Sequence, residues 1–133
     1  MNDPLIWLYV FLGGGVGSTL RLFVVSTVQP MFDHRFAPTF PVGTLAVNVL
    51  GALAMGCLAA LFQRTAIPPA ARLALTVGLL GGFTTFSAFA YETYALLAGR
   101  LPWTAAANIV LSNTLTLAAV WLGARLVPPV NAP

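Results

Sequence analysis

Residues 78–89 read Gly-Leu-Leu-Gly-Gly-Phe-Thr-Thr-Phe-Ser-Ala-Phe, which sets two adjacent glycines, three hydroxyls and three phenylalanines inside a stretch otherwise apolar enough to cross a membrane. Such a segment is a poor helix. In hydrocarbon an unpaired backbone N–H or C=O costs several kcal/mol, so irregular backbone persists there only where it is packed inside protein or lines a polar cavity. The segment points to a pore or a binding site.

The surrounding chain is consistent with that setting. Of 133 residues, 59% are hydrophobic and 7% charged, against roughly 25% charged in soluble domains. Four apolar stretches, about Leu5–Val28, Phe40–Phe62, Pro69–Leu97 and Trp103–Val127, each meet the requirement of about 20 residues for a span. The connections Gln29–Thr39, Gln63–Pro68 and Ala98–Pro102 are short, polar or marked by Pro and Gly. They make neighbouring helices antiparallel and leave no room for a soluble catalytic domain. The expectation is an all-α membrane protein, one four-helix domain over residues 1–133, with the third helix broken mid-membrane.

Met1-Asn2-Asp3-Pro4 lacks a basic leader, and the first apolar stretch has no small-residue cleavage site, so it reads as a retained helix. Cys57, the one cysteine, falls in the second span as a small buried residue, and His34 as a solvated loop side chain. The net charge of +3 comes from scattered arginines and describes no nucleic-acid surface. With the N-terminus on side one, Arg64, Arg72 and Arg125 share that side, Arg35 and Arg100 take side two, and Arg21 lies within the first span nearer side two. Orientation follows the excess of basic residues, which here is close to zero. Four helices also make too thin a bundle to shield a polar pathway from lipid. An antiparallel homodimer in the bilayer is therefore expected, with a parallel dimer of fixed orientation as the alternative.

Polar residues inside spans mark pathways because they are costly there. On the first helix Gly13, Gly17 and Arg21 recur every four residues. The glycines read as a close-packing face. Arg21 either snorkels to the interface or attracts anions at a vestibule mouth. Thr44 and Asn48 share a face of the second helix with Gly51 nearby, and Asn108, Ser112 and Thr116 recur every four residues on the fourth. Each stripe could bond a neighbouring helix. Facing each other, the two would form a ladder of N–H and O–H donors suited to a small anion. The third helix, Pro69–Leu97, would measure about 43 Å if straight, against a hydrocarbon core of about 30 Å. Gly81–Gly82 is the expected break, followed by Thr84 and Thr85. Carbonyls freed there suit a hard cation, and the positive ring edges of Phe86 and Phe89 can face an anion.

Gly81-Gly82-Phe83-Thr84-Thr85-Phe86-Ser87-Ala88-Phe89, with Gly43-Thr44-Leu45-Ala46-Val47-Asn48-Val49-Leu50-Gly51 and the Gly-rich run ending at Arg21, resembles the bacterial fluoride channel family, the Fluc or CrcB proteins. The resemblance spans all four helices. It implies a fluoride-selective channel of the bacterial inner membrane, built as a dual-topology antiparallel homodimer with two pores, that lets fluoride leave the cytoplasm and relieves its toxicity. By motif, Gly81 and Thr84 are similar to backbone-carbonyl ligands of a central structural sodium ion. Phe86 and Phe89 resemble the phenylalanines lining the fluoride path, and Asn48 the pore asparagine. Thr44, Thr85, Ser87, Ser112, Thr116 and Arg21 fall on the polar route. Ala88 departs from the family, which commonly has Thr there, and the place of Asn108 is left open by the motif.

A rival of the same size and charge balance is a small proton-coupled multidrug exporter. That coupling needs an embedded carboxylate; the first helix has none, and Glu92, the one acid within a span, reads as interfacial or hydrogen-bonded. A scaffold subunit would leave both polar stripes without a purpose. No Cys/His pair, Ser-His-Asp set or carboxylate pair supports an enzyme. Trp7, Trp103 and Trp121 near helix ends read as interfacial anchors.

Overall fold

The computed structural model describes residues 4–33 and 40–128; His34 and Arg35, placed by the sequence in the first loop, lie outside them. The described residues are all-helical, without strands. The order is α1 (Pro4–Asp33), α2 (Val42–Phe62), α3 (Pro69–Leu73), a π-helical segment (Ala74–Leu80), α4 (Gly81–Phe83), α5 (Phe86–Ala98) and α6 (Pro102–Leu126). Four stretches are long and apolar enough to cross a membrane: Pro4–Asp33, Val42–Phe62, Pro69–Ala98 and Pro102–Leu126.

The first helix differs from expectation. It continues through Gln29 and Pro30 to Asp33 rather than ending at Val28. Gln29 accounts for the extension. Its Nε2 donates to Asp33 Oδ1 at 2.6 Å and to the Phe40 carbonyl at 3.0 Å, while its Oε1 accepts the Gly43 N–H at 2.9 Å. One amide thus ties the end of α1 to the start of α2, whose own N-cap, Pro41, supplies no side-chain bond. A helix N-terminus leaves four N–H groups without intrahelical partners, and the Gln29 oxygen satisfies one of them.

Helices pack through glycine because backbones must approach closely where lipid tails compete equally for apolar side chains. A methyl added at Gly13 would stand 2.6 Å from the Ala74 carbonyl, one at Gly78 would stand 2.8 Å from the Val10 carbonyl, and one at Gly82 would stand 2.5 Å from the Gly14 carbonyl. These glycines form a two-sided seam between α1 and the third span. A second seam joins α2 to α6, where Gly56 faces the Val120 carbonyl and Gly123 the Leu53 carbonyl. Cys57 beside that seam is half-buried, not fully buried as expected.

One end of the bundle is closed by arginines. Arg72 donates to the Phe62 carbonyl at 2.9 Å and lies over the Phe62 ring, fixing the turn between the second and third spans. Arg64 donates to the Pro128 carbonyl, bringing the chain beyond α6 to the same end. Gly123→Val is expected to lower the thermal midpoint of the detergent-solubilised protein by the equivalent of about 1–3 kcal/mol, the usual penalty of overpacking. Gly15→Ala, where an added methyl meets nothing within 4 Å, should leave that midpoint nearly unchanged.

Candidate functional site

The interruption of the third span falls two to three residues beyond the glycine pair. Gly81 keeps helical dihedrals (φ −64°, ψ −35°), and Gly81–Phe83 form a helical turn. Thr84 (φ −86°, ψ 158°) and Thr85 (φ −151°, ψ 114°) are extended. The glycines are therefore not the conformational break; Gly82 serves the close approach to α1, and β-branched threonines take the extended dihedrals they favour.

What holds the break open is Asn48. Its Oδ1 accepts the Thr85 N–H at 2.8 Å and its Nδ2 donates to the Thr85 carbonyl at 3.2 Å. In a continuous helix the Thr85 N–H would close on the Gly81 carbonyl; here it is diverted to α2. The Thr85 side chain then starts α5 as its N-cap, with Oγ1 accepting the Ala88 N–H at 3.2 Å and lying 3.2 Å from Ser87 Oγ. Ala88 thereby contributes a backbone donor, and its missing hydroxyl removes nothing from this cap.

Around the break lies a groove of about 350 Å³ between α2, the third span and α6. Asn48, Gly81, Thr84 and Thr85 line it together with Phe86, Phe89, Ser112 and Thr116. The Phe86 and Phe89 rings have centroids 5.4 Å apart and are tilted by 46°, within the range of favourable aromatic pairs. Phe86 is 77% exposed. Three of the expected residues do not line the groove. Thr44 is buried behind it, donating to Glu92 Oε1 at 2.5 Å; Ser87 is exposed beside the cap; and Arg21 sits half-exposed on α1.

The polar stripes are not a row of idle donors. Thr84 Oγ1 donates to the Leu80 carbonyl at 2.9 Å, Thr116 Oγ1 to the Ser112 carbonyl at 2.6 Å, and Ser112 Oγ to Asn108 Oδ1 at 3.3 Å. Thr76 and Asn113, which sequence reasoning passed over, also line the groove. Asn113 is one residue off the Ser112 stripe, and Thr76 lies in the π-helical segment, whose wider turn changes which residues share a face. Glu92, which the sequence places as interfacial or hydrogen-bonded, is bonded to Thr44, and its Oε2 is buried with no partner among the described residues.

Four helices apolar enough to cross a membrane, three of them lining a largely apolar groove that carries an amide and several hydroxyls, define a multi-pass membrane protein of the channel or transporter class. The sequence model of the family described as CrcB-like protein, Camphor Resistance (CrcB), matches residues 8–124. The chain belongs to this family. It is 44% identical over 121 residues to a Solibacter usitatus protein named fluoride-specific ion channel FluC, covering 90% of this chain and 96% of that one. It is 46% identical over 118 residues to FluC 2 of Mycobacterium tuberculosis H37Rv (89% and 87% covered) and 41% identical over 126 residues to FluC of Serratia proteamaculans (93% and 94%).

Asn48→Leu removes both bonds to Thr85 and leaves the Thr85 N–H without a partner. An unsatisfied group costs about 1–3 kcal/mol. The expected result is a fall in thermal midpoint and hydrogen exchange at the Thr85 amide at least about tenfold faster, with amides of α6 unaffected.

Proposed function

We propose that this protein is a fluoride-selective channel, not an enzyme, that conducts fluoride passively out of the bacterial cytoplasm. The observation that carries the reading is the groove itself: compact donors and two phenylalanines gathered at an interrupted span, in a chain whose relatives are each named fluoride-specific ion channels. The rival reading, proton-coupled multidrug export, has no support from these relatives.

Fluoride is small, strongly hydrated and an avid hydrogen-bond acceptor, so a pore must replace its water shell with convergent donors while holding the ion weakly enough to release it. Asn48 spends one N–H of its amide on Thr85 and keeps the other. The hydroxyls of Thr84 and Thr116 donate to carbonyls of their own helix. Such carbonyls already accept a helical N–H, so turning a hydroxyl toward a passing anion forfeits a bond worth about 1 kcal/mol. Phe86 and Phe89 offer ring edges, which carry the positive part of the aromatic quadrupole. Ser112 and Thr85 extend the donor route, Thr44 and Ser87 border it, and Arg21 raises the local anion concentration from outside it.

The groove opens outward in one chain, with Phe86 on its exposed lip and exposed Asn113 and Thr114 on α6 beside it. Polar groups facing lipid are expensive, which supports a second copy covering this face. Near-balanced arginines support an antiparallel arrangement with dual topology, two pores and the interruption near mid-membrane. A structural sodium ion fits the donor chemistry at the break. The Gly81 carbonyl has lost the N–H of Thr85, Thr84 has left helical geometry, and a methyl at Gly81 would meet only the Thr76 carbonyl, at 3.7 Å. Carbonyl oxygens suit a hard cation. Gly81 and Thr84 would hold it, and the bound charge would brace two copies at the centre of the dimer.

Two tests follow. Liposomes reconstituted with the protein should release fluoride rapidly and chloride negligibly under an imposed gradient with a potassium ionophore, and Phe89→Ala should cut fluoride release at least about a hundredfold while the protein elutes as a folded species. Equal release of both halides, or none from folded protein, contradicts the reading. Replacing sodium by N-methylglucamine throughout purification should lower the thermal midpoint; an unchanged midpoint refutes the sodium site.

A further inference from the structure

Asn108 is the most deeply buried polar side chain among the described residues, 1% exposed, and it stands outside the groove. Its Nδ2 donates to Thr93 Oγ1 at 2.9 Å, and Thr93 Oγ1 in turn donates to the Phe89 carbonyl at 2.7 Å. On its other side Asn108 Oδ1 accepts the Ser112 hydroxyl at 3.3 Å. A continuous chain of hydrogen bonds therefore runs from the backbone of Phe89 on α5 to the side chain of Ser112 on α6. Both of its ends belong to residues that line the groove, and its two middle members do not.

We propose that Thr93 and Asn108 are a positioning pair that sets the stance of Phe89 against Ser112, and with it the width and donor geometry of the ion path. The inference rests on the reading of the groove as the fluoride route. α5 needs such a device. Only Thr93 and Leu96 of its residues are buried, and Phe86, Tyr91 and Tyr94 on its outer face are all exposed. Apolar packing against lipid-like surroundings supplies little force to fix the rotation of such a helix, whereas hydrogen bonds between buried groups are directional and lose strength steeply with misalignment. Asn108 also decides where the Ser112 proton points. Without Oδ1 to accept it, the hydroxyl would turn to the carbonyl of residue 108, four positions back, as Thr114 and Thr116 turn to Val110 and Ser112. A merely structural tie would hold α5 to α6; this one orients a groove residue at each end.

The experiment compares the full-length protein with Thr93→Val, Asn108→Leu, the double variant and Thr93→Ser, each reconstituted in liposomes. Fluoride efflux is counted per folded channel, and the thermal midpoint is recorded alongside. Thr93→Val, isosteric and lacking only the hydroxyl, and Asn108→Leu should each reduce fluoride efflux about tenfold. The double variant should be no slower than the slower single within about threefold, because both remove the same chain. Thr93→Ser, which keeps the hydroxyl, should stay within about twofold of wild type. Wild-type efflux per folded channel in Thr93→Val, with only the midpoint lowered, would make the tie structural and overturn the proposal. A double variant about a hundredfold slower would show two independent roles and overturn it as well. Should Asn108→Leu fail to fold, Thr93→Val against Thr93→Ser decides alone. A wild-type protein that releases no fluoride would remove the channel reading itself, a failure visible before any variant is compared.

Discussion

The two-point pairing of the Asn48 amide with the backbone of Thr85 is the constraint on which the rest of the structure depends. A membrane helix interrupted within hydrocarbon must find a partner for every backbone group it releases. Asn48 supplies an acceptor and a donor in one planar group, at 2.8 and 3.2 Å; the acceptor replaces the helical partner of the Thr85 N–H, and the donor adds a second bond to the Thr85 carbonyl, which as the N-cap carbonyl of α5 also starts that helix. Three things follow from that exchange. The Gly81 carbonyl is released from its helical donor, Thr85 is free to cap α5 through its side chain, and Phe86 and Phe89 emerge beside the donors of α2 and α6 rather than on the face a straight helix would give them.

The arrangement is held by polar ties because the medium allows little else. Within one chain α5 buries few residues, yet Thr85 joins it to Asn48, Glu92 joins it to Thr44 and Thr93 joins it to Asn108. The Thr85 tie lies about two turns before the adjacent pair Glu92 and Thr93, which bond to different helices, so the rotation of α5 is specified at its start and again near its middle. The remaining spans are held differently. Gly13 and Gly14 of α1 interlock with Gly78 and Gly82, and Gly56 and Gly123 pack on the facing backbones of α6 and α2, so that the frame around α5 is made of close backbone contacts. A glycine-packed frame and a hydrogen-bonded insert thus hold the chain by two different means.

Much of this was legible in the sequence. Four spans followed from length and composition, and the stripes Thr44/Asn48 and Ser112/Thr116 from their spacing of four. The groove gathers Asn48, Thr84, Thr85, Phe86, Phe89, Ser112 and Thr116 as candidate residues. What escaped sequence reasoning depended on pairings across helices. Gln29 reads as a loop residue until its amide is seen to cap α2. Gly81–Gly82 reads as the break because glycine weakens helices, whereas the dihedrals follow from an acceptor thirty-seven residues earlier in the chain. The fully buried state of Asn108 depends on Thr93, a residue that no stripe on its own helix would single out. Thr44 and Ser87 share a face or a motif with groove residues yet point their hydroxyls to Glu92 and to the Thr85 cap.

The central claim is that a path built from an amide, hydroxyls and ring edges at this interruption passes fluoride and refuses larger halides. The most direct measurement is the reversal potential of the protein in a planar bilayer with unequal fluoride concentrations on the two sides, balanced with chloride to equal ionic strength. The account predicts a reversal potential pinned to the equilibrium potential of fluoride as its concentration is varied, and unmoved by chloride. A potential that follows chloride, or stays at zero as fluoride is changed, would contradict it.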